Sequence, residues 1–414
     1  MRDVILLGST GSIGTQAVDV IRARPDRFRV VGLAAGGSSL DALIAQVRLL
    51  RPDVVAVPDA AAAERVRHET GATVSEGPDA AVALAAHPCD VVLNGIAGAA
   101  GLRPTLATLA AGTTLALANK ESLVIGGRLV MDAAAPGQIV AVDSEHSAFA
   151  QALRAGRASE VRRLILTASG GPFRGMNKAQ LARVTPQDAL AHPTWNMGRV
   201  ITINSATLVN KGLELLEAGL LYGVPLECIQ VVVHPQSMVH SMVEFVDGST
   251  IAQCSPPDMR LPIALGLTWP DRLPDAAPAF DWSVAAQWTF APLDDEAFPA
   301  VALARRVGQA GGTAPAVYNA ANEVCVDAFC AGDLVFPGIV DVVESVVSEH
   351  LAAAAVPDHL VAQTLTNEPS IGSRGPRGVS DGNFVGLLEL SVETVLAADA
   401  WARERARHRI EERH

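Results

Sequence analysis

The fold of this chain is decided near its N-terminus by the stretch Val4-Ile-Leu-Leu-Gly8-Ser-Thr-Gly11-Ser-Ile-Gly14. Four apolar residues predict a short buried strand, and residues 12–24 have the pattern of a helix. The glycines between them follow the spacing G-x-x-G-x-x-G, which permits a tight turn and lets backbone N–H groups meet a pyrophosphate at the start of the helix. An ordinary glycine-rich turn has a similar composition, but the place between a strand and a helix favours dinucleotide binding.

The same alternation of strand and helix continues to about residue 142. Short apolar runs, separated by Ala-rich helical stretches such as 40–50, occupy residues 30–33, 54–57, 91–93, 114–118 and 139–142. Such alternation is typical of βαβ units around a parallel sheet. We therefore predict an α/β protein with a Rossmann-like, doubly wound N-terminal domain over residues 1–143.

The remainder of the chain changes its pattern twice. Residues 144–268 combine strand-like runs at 164–168, 231–233 and 242–246 with one strong helix, which predicts an α+β central domain. Prolines then mark a linker over 269–298. A helical C-terminal domain is predicted over 299–414, with helices at 300–307, 316–331 and 339–354 and a mobile insert, without apolar periodicity, at 366–383.

Composition excludes several classes of protein. The 414 residues carry a net charge of -12 and only 4% are aromatic, which argues against nucleic-acid binding. No apolar stretch approaches the roughly 20 residues that span a bilayer, and the N-terminal apolar run is too short for an export signal. The five cysteines are scattered without a C-x-x-C pair, so we expect a cytoplasmic protein without disulfides or membrane partners.

The end of the second predicted strand bears on the choice of dinucleotide. It reads Ala34-Ala-Gly-Gly-Ser-Ser39 and lacks the Asp or Glu that binds an NAD ribose and repels a 2′-phosphate. The sequence therefore favours NADP, although no Lys or Arg stands there.

Polar clusters directly follow the predicted strands, where an open parallel sheet binds its ligands. They are Asn94–Gly98, Asn119-Lys-Glu121 and Asp143-Ser-Glu-His146, and each is also compatible with a helix cap. If strand geometry persists, Asp143 and Glu145 project from one face and can share a hard cation. Glu214 offers a third carboxylate, although a solvated Lys211–Glu214 ion pair on a helix is an alternative.

Two further segments have the composition of a substrate site. The turn Ser169-Gly-Gly-Pro172, together with Ser205 and the Asn210-Lys211 pair, can hold a phosphate, and a plain turn with a helix cap is the alternative. The segment 192–198 contains Trp195 and Met197 between Pro193 and Gly198, which suits a lid over a ligand. Large side chains of this kind also anchor loops in a core. Gly212 within its helix costs stability, which indicates a close approach by another group.

Taken together, these motifs resemble the 1-deoxy-D-xylulose 5-phosphate reductoisomerase family over most of the chain. The matching motifs are Gly8-Ser-Thr-Gly-Ser-Ile-Gly14, Asn119-Lys-Glu-Ser122, Asp143-Ser-Glu-His146, Ser169-Gly-Gly-Pro-Phe173, His192-Pro-Thr-Trp-Asn-Met197, Asn210-Lys-Gly-Leu-Glu214, His234-Pro-Gln-Ser237 and Ser255-Pro-Pro-Asp-Met259. The resemblance implies conversion of 1-deoxy-D-xylulose 5-phosphate to 2-C-methyl-D-erythritol 4-phosphate in the non-mevalonate isoprenoid pathway, with NADPH and Mg²⁺ or Mn²⁺. It also implies a homodimer, for which residues 237–245 are a candidate interface strand.

The resemblance further implies a role for each matching residue. The metal ligands are Asp143, Glu145 and Glu214, and the catalytic groups are these three with Lys120 and His192. The substrate-binding residues are Lys120, Ser144, Glu145, Ser169, His192, Trp195, Met197, Ser205, Asn210, Lys211 and Glu214. The cofactor-binding residues are Thr10, Gly11, Ser12, Ile13, Gly36, Gly37, Ser38, Asn119, Glu121, Gly198 and Met259. At Gly36-Gly37-Ser38 many relatives carry Lys and Asn, so here NADP selection rests on Ser38, the backbone and the missing acid.

Two other functions compete with this one. An NADP-dependent semialdehyde dehydrogenase has a related glycine turn but needs a cysteine nucleophile, for which Cys254 is the candidate. A non-catalytic NADP-sensing protein would use only the first domain and leaves the carboxylates and the phosphate-binding residues without a role. The sequence leaves open the physiological metal and the choice between a retro-aldol and an α-ketol rearrangement.

Overall fold

The computed structural model describes residues 1–195, 197–354 and 390–413. Its N-terminal part is a sheet of seven parallel strands in the spatial order β4-β3-β2-β1-β5-β6-β7. The strands are β1 (Arg2–Leu7), β2 (Phe28–Ala34), β3 (Val54–Val57), β4 (Val74–Glu76), β5 (Val91–Asn94), β6 (Thr114–Leu117) and β7 (Ile139–Ala141). All six strands predicted in this part are present; β4 was missed because it has only three residues, of which only Val74 is buried.

Helices cover both faces of this sheet. They are α1 (Ser12–Arg22), α2 (Leu40–Leu50), α3 (Ala60–Thr70), α4 (Ala80–Ala85), α5 (Leu102–Ala110), α6 (Lys120–Gly126) and α7 (Arg128–Ala133). Alternate residues of β1 enter different cores, because Leu6 packs in the cluster on one face and Ile5 and Leu7 in the cluster on the other. The prediction of a doubly wound, Rossmann-like sheet is therefore confirmed.

The central part contains a second, mixed sheet of five strands in the order β11-β10-β8-β9-β12. These are β8 (Val161–Ala168), β9 (Ile229–Val233), β10 (Val239–Phe245), β11 (Thr250–Cys254) and β12 (Ala291–Pro292). Three of them fall on the predicted runs, whereas β11 was missed because it lies at the sheet edge with little apolar sequence. The stretch 237–245, suggested as an interface strand, does contain β10, whose edges are both paired, by β8 and by β11. Its part in an interface stays a prediction, and edge-to-edge pairing with another chain is excluded for this strand.

The remaining helices surround the second sheet or extend the C-terminal part, except for one, which packs on the first sheet. They are α8 (Ser144–Ala152), α9 (Lys178–Leu181), α10 (Pro186–Leu190), α11 (Arg199–Thr207), α12 (Val209–Tyr222), α13 (Arg260–Thr268), α14 (Ala300–Ala310), α15 (Ala314–Ala331), α16 (Phe336–Ala354) and α17 (Val392–Glu411). Helix α13 packs against α1 and the first core, and the predicted linker supplies β12 to the second sheet. The predicted insert at 366–383 lies outside the described residues.

Helix α12 is the element that joins the central sheet to the C-terminal helices. Its Leu213 and Leu216 belong to one core cluster with Val317 of α15 and Val343 of α16. The close approach expected at Gly212 comes from these helices: a Cβ there would lie 2.7 Å from the Tyr318 hydroxyl and 2.8 Å from the Ala304 Cβ. The glycine therefore sets the distance between α12 and its neighbours.

The substitution Gly212→Ala is expected to lower the thermal midpoint and to weaken Mg²⁺ binding. Alanine favours the helix by about 1 kcal/mol, but overpacking costs about 1–3 kcal/mol and the displaced α12 carries Glu214. Calorimetry and Mg²⁺ titration measure the two effects. Gly219→Ala in the same helix is the control, because its new Cβ would meet chiefly the flexible tip of Leu226. Equal effects of both variants would contradict the expectation.

Within the described ranges, none of the helices has the length and apolar character that crossing a membrane requires.

Candidate active site

A cavity of about 630 Å³ lies where the carboxyl ends of β6 and β7 meet the end of β8 and the start of α12. Most of the predicted site residues line it, namely Ser12, Ile13, Lys120, Asp143, Ser144, Glu145, Ser169, His192, Trp195, Met197, Gly198, Ser205, Asn210, Lys211, Glu214 and Met259. The other predicted cofactor residues follow β1, β2 and β6 along the same sheet edge, namely Thr10, Gly11, Gly36, Gly37, Ser38, Asn119 and Glu121. The residues that line the cavity therefore come from a stretch of the chain that runs from Ser12 to Arg260.

Three carboxylates form the floor of this cavity. One oxygen from each of Asp143, Glu145 and Glu214 lies within 4.8 Å of the others. The sequence analysis attributed the proximity of Asp143 and Glu145 to strand geometry, and that explanation is wrong. Helix α8 begins at Ser144, and Asp143 caps it by accepting a hydrogen bond from the Glu145 N–H at 3.1 Å. The start of a helix, rather than a strand face, brings the two acids together.

Two lysines lie among these carboxylates. The Lys120 Nζ is 2.6 Å from Asp143 Oδ2 and 2.9 Å from Glu214 Oε1, and it also donates to Asn210 Oδ1 at 3.0 Å. The Lys211 Nζ donates to Glu145 at 2.8 Å and also to Glu214. The alternative of a solvated Lys211–Glu214 pair is therefore wrong: both side chains are buried, at 5% and 1% exposure.

The electrostatics of the cluster fit a hard divalent cation. Burial alone lowers the pKa of Lys120, but the Asp143 and Glu214 charges outweigh it and raise that pKa well above its usual value. Burial and the neighbouring Glu145 charge raise the pKa of Glu214. Three carboxylates face two lysines, so one formal negative charge is left without a partner cation within this group of five side chains. Clustered oxygen ligands with unrelieved negative charge are what Mg²⁺ and Mn²⁺ prefer.

His146 and Glu217 lie beside the carboxylate cluster, and the sequence analysis assigned no role to either of them. The His146 ring lies 3.0 Å from Asp143 Oδ1 through Nδ1 and 2.9 Å from the Glu214 carbonyl oxygen through Nε2. Burial opposes its protonation, but Glu217 and Asp143 raise the pKa of His146 to about 9, while burial raises the pKa of Glu217 to about 7. The ring thus orients the Asp143 carboxylate and also contacts the backbone of α12 at Glu214. The available signals were the Asp143–His146 motif and the position of Glu217 one turn after Glu214.

A set of hydroxyl and imidazole groups lies at another wall of the cavity. The His192 Nε2 is 3.2 Å from Ser169 Oγ and 3.1 Å from Ser205 Oγ. Its Nδ1 accepts from the Thr194 and Trp195 N–H groups, so Nε2 carries the proton, and burial lowers the pKa of this ring. The Ser169 turn reaches Ser205 because Gly171 has a φ of 66°, and a Cβ there would lie 2.9 Å from the Ser205 carbonyl oxygen.

Trp195 and Met197 line the same cavity and are only partly buried. The Trp195 ring lies 6.2 Å from the ring of His240, which also lines the cavity. The alternative that both residues anchor a loop in the core is therefore wrong. Further lining residues that the sequence analysis did not assign are Thr167, Ser237, His240, Asp258 and Arg260. The motifs around His234–Ser237 and Ser255–Met259 were the available signal.

The glycine turn at the first strand has the geometry that a dinucleotide requires. Gly8 has a φ of 78°, and a Cβ there would lie 2.7 Å from the Gly95 carbonyl oxygen. Helix α1 begins at Ser12 with Gly11 as its cap, so its free N–H groups face the sheet edge. After β6, Asn119 caps α6 through the Ser122 N–H at 2.8 Å and also donates to Glu121 at 3.1 Å.

A dinucleotide-binding turn beside three clustered carboxylates defines a metal-assisted, dinucleotide-dependent enzyme. Comparison with known proteins identifies which one. Family models match residues 4–127 (1-deoxy-D-xylulose 5-phosphate reductoisomerase), 139–222 (the C-terminal domain of that enzyme) and 254–405 (DXP reductoisomerase C-terminal domain). The chain belongs to the 1-deoxy-D-xylulose 5-phosphate reductoisomerase family.

Full-length relatives of that name support the assignment. The enzyme of Cutibacterium acnes is 61% identical over 418 aligned residues, covering 98% of both chains, and that of Kitasatospora griseola is 58% identical, covering 98% and 99%. The Zymomonas mobilis enzyme in complex with NADPH has a TM-score of 0.83 at 38% identity, covering 99% of both chains. A reductoisomerase in complex with NADPH, fosmidomycin and magnesium has a TM-score of 0.84 at 32% identity, covering 99% and 98%.

The two competing functions are not favoured. Cys254 ends the edge strand β11, does not line the cavity described above, and has its pKa raised by burial, so it is a poor nucleophile. An NADP-sensing protein without catalysis does not account for the carboxylates and lysines, which the family assignment explains.

Proposed function

We infer that the chain catalyses the reaction of its family, the NADPH-dependent isomerisation and reduction of 1-deoxy-D-xylulose 5-phosphate to 2-C-methyl-D-erythritol 4-phosphate. The observation that carries this function is the carboxylate cluster with Lys120 and Lys211, set beside the glycine turn of a Rossmann-like sheet. Relatives solved with NADPH, fosmidomycin and magnesium support the two cofactors.

Asp143, Glu145 and Glu214 are proposed to hold Mg²⁺ or Mn²⁺. A divalent cation bound there supplies a Lewis acid that stabilises negative charge on substrate oxygens. Lys120 and Lys211 contact these carboxylates in the described structure, so a bound cation would share the carboxylates with the two ammonium groups. Lys120 is proposed to stabilise oxyanions or move protons, and Ser144 to contact the sugar backbone.

The phosphate of the substrate is proposed to bind beside this cluster, between it and the wall that carries Ser169, Ser205 and His192. Ser169, Ser205, Asn210 and Lys211 supply donors, and His192 donates from Nε2 into the space between the two serines. Trp195 and Met197 are proposed to close over the ligand and exclude water. Binding energy gained at the remote phosphate then positions the reacting carbons.

NADPH is proposed to lie along the carboxyl edge of the first sheet. Thr10, Gly11, Ser12 and Ile13 are proposed to form the pyrophosphate turn, and Met259 and Gly198, which line the cavity, are proposed to face the nicotinamide. Gly36, Gly37 and Ser38 are proposed to face the 2′-phosphate, and Asn119 and Glu121 to contact the cofactor after β6.

A metal-removal experiment tests this function. With 1-deoxy-D-xylulose 5-phosphate and NADPH present, absorbance of the reduced nicotinamide is expected to fall only when Mg²⁺ or Mn²⁺ is added, and excess EDTA is expected to abolish the reaction because the carboxylates then lack their cation. KCl at matched ionic strength serves as the control, because K⁺ is monovalent and carries less charge to the carboxylates than Mg²⁺ does. Full activity in EDTA would overturn the metal assignment.

A homodimer is proposed in which the two chains meet at the second, five-stranded sheet and not at the seven-stranded sheet. Strand β11 is an unpaired edge in the described sheet, with Ile251 39% exposed. A second exposed apolar group is Trp282, on the segment that leads to β12 at the other edge of the sheet, which is 75% exposed and packs on Phe280 and Trp288. Sedimentation is expected to give twice the chain mass, and Ile251→Lys with Trp282→Ser is expected to give the single-chain mass. A monomeric parent chain would contradict the proposal.

A cytoplasmic location is also proposed. All five cysteines are free thiols, and no two of them are paired. Reducing compartments keep thiols in this form.

A further inference from the structure

We propose that Glu323, on helix α15 of the C-terminal part, is a positioning residue for the cofactor side of the active site. It acts through the Gly98 turn on Asn119 and Glu121, and so the inference rests on the cofactor site proposed above. It assigns to the C-terminal helices a part in cofactor binding that the cavity itself does not reveal, because Glu323 is absent from the cavity lining.

The Glu323 carboxylate is held in place through both of its oxygens. Asn319, one turn earlier on α15 and 1% exposed, donates to Oε1 at 2.9 Å. Arg403 of α17 donates to Oε2 at 2.6 Å, and its guanidinium is itself fixed by Asp399 at 2.6 Å. Two helices therefore determine where this carboxylate lies.

This fixed carboxylate lies directly against the turn that follows β5. Gly98 has a φ of 65°, and a Cβ built on it would lie 3.2 Å from Glu323 Oε1 and 3.8 Å from Oε2. Glycine is required there on both counts, by the backbone conformation and by the carboxylate beside it. The position of the Gly98 turn thus depends on Glu323.

The Gly98 turn in turn holds the segment after β6. Its carbonyl oxygen accepts a hydrogen bond from Asn119 Nδ2 at 3.2 Å, and the same amide donates to Glu121 Oε2 at 3.1 Å. Asn119 Oδ1 caps α6, the helix whose first residue is Lys120. Burial raises the pKa of Glu121, and the Glu323 charge raises it further, so the two carboxylates act on each other. A shift of Glu323 is therefore transmitted to both proposed cofactor contacts.

The chain provides a matched control on the same helix. Arg405, two residues after Arg403 on α17, donates to Glu349 of α16 at 2.8 Å. This ion pair joins two C-terminal helices, as the Arg403–Glu323 pair does, and both arginine side chains have similar exposure, 26% and 27%. Its carboxylate partner contacts Arg409 as well, and none of these groups touches the Gly98 turn.

The experiment measures NADPH binding to the full chain with Mg²⁺, by NADPH fluorescence, together with steady-state kinetics. Glu323→Ala is expected to raise the Kd and KM for NADPH about tenfold, to lower kcat less than about threefold and to leave the KM for the sugar phosphate within about twofold. Glu323→Gln, which keeps the shape and loses the charge, is expected to lie between Glu323→Ala and the parent chain. Arg405→Gln is expected to leave all four constants unchanged.

Two outcomes overturn the inference, and a third separates it from the proposed function. An unchanged Kd for NADPH in Glu323→Ala and Glu323→Gln overturns it, as do equal losses in every constant with a lowered thermal midpoint, which indicate a merely structural role. Asn119→Ala and Glu121→Ala test the cofactor site directly. If these two leave the Kd unchanged, the cofactor assignment fails; if they raise it while both Glu323 variants do not, only the inference fails.

Discussion

Replacing Glu214 with glutamine is expected to lower kcat/KM by about three orders of magnitude, because loss of a charged ligand removes several kcal/mol of transition-state stabilisation. Glu214 is the group on which the cluster converges: it contacts Lys120, Lys211 and Asn210 and shares the proposed cation with two other acids. Glutamine keeps the shape of the side chain, so the effect is one of charge and coordination.

Mn²⁺ titration followed by electron paramagnetic resonance, alongside kinetics, separates loss of the metal from loss of the fold. Glu214→Gln is expected to weaken Mn²⁺ binding at least about tenfold while circular dichroism stays that of the parent chain. Glu227→Gln is the matched control, since Glu227 is exposed and lies outside the cavity. Parent-like Mn²⁺ affinity in Glu214→Gln would show that the cation binds elsewhere.

Replacing Lys120 with methionine is expected to lower kcat about 10²- to 10⁴-fold, the range over which a positioned proton donor or acceptor contributes. It is also expected to destabilise the metal-free chain by about 3–5 kcal/mol, because Asp143 and Glu214 then lose a cation that lies 2.6 and 2.9 Å from them in a buried site. Mg²⁺ is expected to restore most of that stability, since it supplies positive charge to the same carboxylates.

The thermal midpoint measured in EDTA and in Mg²⁺ tests this coupling. For Lys120→Met the difference between the two conditions is expected to exceed that of the parent chain by several degrees. Lys178→Met is the control, because Lys178 is exposed on α9. A variant that is inactive but shows the metal response of the parent chain would leave Lys120 a catalytic role and contradict its role in balancing the carboxylates.

The predicted positions of the site residues agree best with the structure where residues close together in the chain form one local feature. The Gly8–Gly14 turn requires only a strand, a tight turn and a helix in succession, and Asp143 with Glu145 requires only the start of one helix. Predictions that assumed a particular backbone conformation agree less well with the structure. Strand alternation was assumed after β7, but helix α8 begins at Ser144. Short and exposed strands such as β4 and β11 carry too little apolar pattern to be recognised.

The sequence alone does not show whether a charged side chain is buried or exposed. Lys211 and Glu214 are three residues apart on a helix, and that spacing is the same for a surface pair and a buried one. The core cluster that packs α12 against α14, α15 and α16 makes this pair buried. Burial then raises the pKa of Glu214, whereas the neighbouring carboxylate charges outweigh burial and raise the pKa of Lys120.

By itself the sequence determined the parallel sheet, its dinucleotide turn, the family and most of the residues at the cavity, because these depend on periodicity and on short motifs that the chain carries locally. Only the tertiary structure decided that Asp143, Glu145 and Glu214 meet within 4.8 Å, that His146 contacts the Asp143 carboxylate and the backbone carbonyl of Glu214, and that Glu323 of a distant helix lies against Gly98. Contacts between residues far apart in the chain depend on how whole elements pack, and packing is set by the combined shape of many side chains rather than by any one segment.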